Sequence, residues 1–86
     1  MAEATTTTDH EAIRVWVEDR DGRPAAVRTG EEGGILRIDF GDAEESLEPI
    51  EWDEFFRIFD DNNLAFLHQE DGRSRFNKFV ERDYGN

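Results

Sequence analysis

Arg73, Arg75, Lys78 and Arg82 stand close together near the end of an 86-residue chain that otherwise runs acidic. A guanidinium grips a carboxylate or a phosphate through two parallel N–H donors, so clustered arginines suit anions and acidic partner surfaces. If Ser74–Lys78 forms a strand beside Arg37, and Arg23 joins from the turn after the first helix, then Arg23, Arg37, Arg73, Arg75 and Lys78 form one anion- or partner-binding surface. The same arginines have a plainer use in internal ion pairs with Asp39, Asp42 or Glu70.

Other chemistry finds less support. His10 and His68 are the only histidines, flanked by Asp9 and by Glu70. A metal or catalytic role needs such a pair in fixed geometry; a first-turn helix residue and an alternating strand residue need none. Two strings, Asp19-Arg20-Asp21-Gly22 and Asp60-Asp61-Asn62-Asn63, hint at calcium loops but lack the alternating oxygen ligands and the closing Glu. Ser46 and Ser74 sit in no nucleophile elbow, and there is no cysteine. The glycine-rich residues 30–34 include Glu31 and Glu32, which repel phosphate. No catalytic residue, metal site or cofactor is expected, so the sequence points away from an enzyme.

Lys and Arg together number 10 against 22 Asp and Glu, a net charge of −12. Nine of the ten basic residues are Arg. Such a surface fits a cytoplasm of molar salt, where a Debye length of ~3 Å screens self-repulsion. It also fits mimicry of a nucleic-acid backbone, or plain acidic solubility. The charge is uneven: net −4 over residues 1–34, −8 over 35–63 and zero over 64–86. No apolar run is long enough to span a bilayer, and residues 1–9 lack the basic start of a signal peptide. A cytoplasmic location follows as the expectation, with a monomer or weak homodimer as the assembly.

Elements must position these groups. Residues 1–8 read as a disordered leader, residues 9–82 as a single domain and residues 83–86 as a frayed C-terminus. Thr8 and Glu11 match a capping box, and Ile13, Trp16 and Val17 recur at helical spacing. Asp21-Gly22-Arg23-Pro24 stops that helix, with Gly22 suited to the left-handed region. Residues 25–29 and 35–40 read as strands of one hairpin, and residues 41–49 as an acidic connection. Trp52, Phe55, Phe56 and Phe59 fall on one helical stripe, the strongest periodic signal in the chain. An Asn after that helix takes the left-handed position. Residues 64–69 and 75–82 then form a second hairpin around residues 70–74. The order is α-β-β-α-β-β, an α+β two-layer sandwich with helices packed on a small antiparallel sheet. Whether the hairpins share one sheet stays open. Trp16, on a narrow apolar stripe, is the aromatic expected to be partly exposed.

The segments His10-Glu11-Ala12-Ile13-Arg14, Leu36-Arg37-Ile38-Asp39-Phe40, Trp52-Asp53-Glu54-Phe55-Phe56 and Ser74-Arg75-Phe76-Asn77-Lys78-Phe79 together resemble a family of small bacterial and haloarchaeal proteins. Its members often carry the label "1,4-alpha-glucan branching enzyme". The resemblance runs over residues 9–82 and implies no activity, cofactor or catalytic residue. Branching enzymes of the usual kind set paired carboxylates across a deep sugar cleft, for which this chain has no room. It departs from the pattern at Glu51, where a Ser-like N-cap is usual and Glu caps poorly.

These readings converge on a non-enzymatic interaction or regulatory module that binds a protein partner. Two alternatives stand beside it: a nucleic-acid-related role, by weak binding through the arginine hairpin or by acidic mimicry, and a small-ligand enzyme. Direct nucleic-acid binding sits poorly with a net charge of −12, because a sequence-independent binder needs a dominant basic surface.

Overall fold

The computed structural model describes residues 4–27, 35–41 and 47–82. Its elements run β1 (Ala4–Thr7), α1 (His10–Asp19), β2 (Arg23–Val27), β3 (Ile35–Asp39), β4 (Glu48–Pro49), α2 (Trp52–Asp61), β5 (Leu64–Gln69) and β6 (Asn77–Glu81). The class is α+β with antiparallel strands. The strands make two three-stranded sheets, ordered β1-β5-β6 and β3-β2-β4.

α1 forms where the apolar period requires it, burying Ile13, Trp16 and Val17. Its cap is Asp9 rather than Thr8: the Asp9 carboxylate accepts the Glu11 N–H at 3.1 Å. The carboxylate wins because residues 4–7 are extended and Thr7 already accepts the Asp9 N–H through its hydroxyl. Those residues are the strand β1, paired from Ala4↔Gln69 to Thr7↔Phe66. The leader expected to be disordered is thus an edge strand from Ala4 onward, held by backbone bonds that need no apolar side chains. Asp21, at φ 60°, takes the left-handed position assigned to Gly22. Gly22 serves another purpose, because a Cβ there would lie 2.9 Å from the Phe40 ring and 3.0 Å from both Ile38 and Val17.

β2 and β3 form the expected hairpin in the register Ala25↔Arg37, with Leu36 and Ile38 inward. The hairpin loop at residues 30–34 lies outside the described residues, as do Asp42, Ser46 and residues 83–86. The acidic connection is not all loop: Glu48 and Pro49 pair with β2 as β4. Pro49 fits there because an edge strand leaves one side of its backbone unpaired.

α2 buries Phe55, Ile58 and Phe59, while Trp52 and Phe56 stay half-buried against the core. Glu51 occupies its N-cap with no side-chain hydrogen bond, and Asn63 turns left-handed after the last turn at φ 54°. The helix packs against β2, β3 and β5, so it spans both sheets. Trp16 is buried, 5% exposed, against the expectation of partial exposure. Its ring lies edge-on to Phe66 and Phe40, and its Nε1–H donates to the Gln69 carbonyl at 2.7 Å. Contacts on several sides, invisible in a narrow helical stripe, enclose it. β6 begins at Asn77, so Arg75 and Phe76 lie in the turn instead of the strand.

Candidate partner-binding groove

The turn between β5 and β6 is built by short-range bonds. Asp71 accepts the Arg73 and Ser74 N–H groups, and the Ser74 hydroxyl donates to Gln69 at 2.6 Å while accepting from the Phe76 N–H. Ser74 is therefore a turn-forming residue. Arg20 fastens the turn to α1: its guanidinium donates to the carbonyls of Ser74, Asp71 and Trp16 and covers the Trp16 ring at 4.1 Å. The turn delivers Arg75 over the Phe40 ring, 5.2 Å from its centroid, linking the two sheets.

Three of the five cations expected on one surface share the lining of a groove. Arg37, Arg75 and Lys78 line one groove of about 710 Å³, with β3 along one side and β6 along the other. Its remaining wall is mostly apolar, drawing on Ile38 and Phe40, Ile58 of α2, Leu64 and Phe79. Ile35, 47% exposed, extends that apolar surface at the rim. The groove is open, and its volume falls in the range of ordinary ligand sites.

The other two cations lie elsewhere. Arg23 lines a separate shallow depression with Asp21 and Asp39, and it faces Asp39 across the β2–β3 ladder. An opposite-charge cross-strand pair has a local purpose. Arg73 sits in the β5–β6 turn outside the lining of the groove. Arg82, the fourth member of the basic run, is structural: it donates to the Leu64 carbonyl and to Asp60 at 3.0 Å, over the Phe59 ring.

The histidines divide in the same way. His10 stacks on Phe56 at 4.1 Å and meets Asp60 at 2.9 Å, joining α1 to α2. His68 is buried between Trp16 and Phe66, with Nδ1 3.3 Å from the Glu70 carboxylate but not aligned for a hydrogen bond. Among the described residues, no three His, Cys, Asp or Glu side chains gather as a metal site. Asp60, from the second calcium-like string, is occupied by His10 and Arg82. Glu11, by hydrogen bonding and then by its charge, raises the Arg14 guanidinium above its ordinary pKa.

A second groove, on the α1 face, has the opposite character. Its lining includes Asp9, Glu11, Asp19 and Glu70 beside the β1 threonines. Sequence reasoning missed the apolar wall between the cations and the anchoring role of Arg20. Phe40, following the alternating Leu36 and Ile38, was the available signal for the wall. Nothing in the local sequence marks Arg20 as the anchor of this turn, because the Ser74 and Asp71 carbonyls it holds are more than fifty residues away.

Comparison of the chain with family models, with curated proteins and with solved structures returns no match. No helix among the described residues is long and apolar enough to cross a membrane.

Proposed function

We propose that this protein is a non-enzymatic interaction module of a halophilic cytoplasm, and that it binds an acidic protein partner in the groove between β3 and β6. One observation carries the reading: Arg37, Arg75 and Lys78 converge on an apolar surface in a protein whose net charge is −12. Cations around an apolar floor suit a carboxylate-bearing polypeptide, with the apolar contacts supplying affinity and the charges supplying register. The predominance of Arg, nine of the ten basic residues, together with the net charge of −12, supports the high-salt setting. Nucleic acid is the second reading for the same cations, and three phosphate contacts would give it only a shallow salt dependence.

Affinity capture from a lysate held in molar KCl, with and without nuclease, tests the proposal. The expected result is a nuclease-resistant protein retained by the wild type and by Arg73→Glu, but lost from the double variant Arg75→Glu, Lys78→Glu. Circular dichroism establishes that the double variant is folded. Capture that nuclease abolishes transfers the groove to nucleic acid; capture indifferent to the double variant removes the groove from the function.

A further inference from the structure

We infer that the groove takes its partner as an extended acidic segment, added as a strand to the outer edge of β3. This rests on the partner-binding reading and specifies the shape and chemistry of what is bound.

Hydrogen-bond phase on β2 leads to it. The Ile50 N–H donates to the Pro24 carbonyl at 3.3 Å, flanking the pair Ala25↔Pro49. In an antiparallel ladder that pattern turns the backbone groups of Pro24 and Ala26 toward β4, and those of Ala25 toward β3. The bonded pairs between β2 and β3 are then Arg23↔Asp39, Ala25↔Arg37 and Val27↔Ile35. Leu36 and Ile38 consequently point their N–H and C=O groups away from β2, toward the outer edge. Among the described residues β3 ends its sheet, and both Leu36 and Ile38 line the groove. Their side chains are buried at 3% and 9% exposure, which fixes the edge in position.

The same phase argument applies across the groove. The Arg82 N–H donates to the Asn63 carbonyl at 2.7 Å, flanking Leu64↔Glu81. Asn77 and Phe79 therefore turn their backbone groups outward from β6, and they too line the groove. A free strand edge is a template for another strand.

Side-chain alternation selects the occupant. On β3, Arg37 is exposed while Leu36 and Ile38 face the core; on β6, Lys78 is exposed while Phe79 is half-buried against the core. An added strand with acidic and apolar residues in alternation continues both patterns, placing acids by Arg37 and Lys78 and apolar groups by Ile38 and Phe79. The remaining edges fit such a strand less well. β4 has two residues, and β1 borders the acidic groove. Backbone hydrogen bonds and apolar burial also survive molar salt, where only charges in contact still attract.

The probe is a capped eight-residue peptide alternating Glu and Val, titrated in molar KCl by fluorescence anisotropy. Two further peptides carry N-methyl groups on all the Glu or all the Val residues, each blocking the amides on one edge of the strand. The expected result is binding of the parent and a loss of about tenfold or more in at least one methylated peptide, equivalent to one or two net hydrogen bonds. The Leu36 and Ile38 amide protons should also become protected from exchange. Equal binding by all three peptides overturns the strand mode and leaves the partner-binding reading standing. Parent binding unchanged in Arg75→Glu, Lys78→Glu overturns both. Failure of the parent to bind overturns the inference alone, since the lysate capture tests the reading separately. Protection of Leu36 and Ile38 in a concentration-dependent dimer assigns the edge to a second copy, against the proposal.

Discussion

Single residues in this protein carry duties that their types do not announce. Gly22 is required for clearance, not for backbone freedom: Phe40, Ile38 and Val17 close around the space a methyl group would fill. Gly22→Ala is expected to destabilise the fold by about 1–3 kcal/mol, the usual cost of overpacking, measured by urea denaturation. A neutral result would mean that Phe40 swings aside freely. Arg20 supplies three donors to three carbonyls at once, a geometry that a lysine ammonium cannot reproduce. Arg20→Lys is therefore expected to cost about 1–2 kcal/mol despite keeping the charge, and to speed amide exchange around Ser74 and Phe76. Lys restoring wild-type exchange would show that charge alone holds the turn. The basic residues near the C-terminus were legible as a cluster, but not their division of labour. Arg82 and Arg75 look alike in sequence, yet one is bound to Asp60 and the other rests on Phe40 in the groove.

At the scale of elements, helices were the most legible part because their apolar period is local. Both fall where the spacing of Ile13, Trp16 and Val17, and of Phe55 and Phe59, places them. Their caps differ in quality, and stability should reflect it. Asp9→Ala removes the bond to the Glu11 amide and is expected to cost about 1 kcal/mol, whereas Glu51→Ser is expected to gain about 0.5–1 kcal/mol by supplying a missing cap. Thermal or urea unfolding of the two variants checks this, and opposite signs are the required outcome. Strands were less legible. β1 has the threonines of a good strand former but no apolar alternation, so nothing local separates it from a polar leader. β4 is recognisable only by its partner Ala25–Ala26, because two residues carry no period.

For the whole molecule, charge is the dominant property. With −12 spread over so small a surface, self-repulsion opposes compaction until counterions screen it. The urea midpoint is expected to climb steadily between dilute buffer and molar KCl; a flat profile would remove the halophilic reading and leave ordinary acidic solubility. The two grooves are of opposite character, one lined by Arg37, Arg75 and Lys78 and the other by four carboxylates. The double charge reversal thus removes the cationic groove without disturbing the acidic one. The groove itself could not be read from sequence, since its walls come from β3, α2, β5 and β6 and meet only in the folded chain.

The strand order also dictates a timetable. Sheet β3-β2-β4 is complete once Pro49 is made, whereas β1 must wait for β5. During synthesis, Ala4–Thr7 leaves the ribosome with no partner until Leu64–Gln69 follows, and β6 comes later still. Arg82, which ties β5 to α2, is made after both of them. Closure of the long loop between β1 and β5 thus follows completion of the first sheet, the slow kind of step in a small domain. A ribosome-stalled chain carrying a linker long enough to place Asn63 clear of the exit tunnel should hold the first sheet's hairpin yet leave its amino-terminal threonines open to protease, and emergence of Leu64–Arg82 should shut that window.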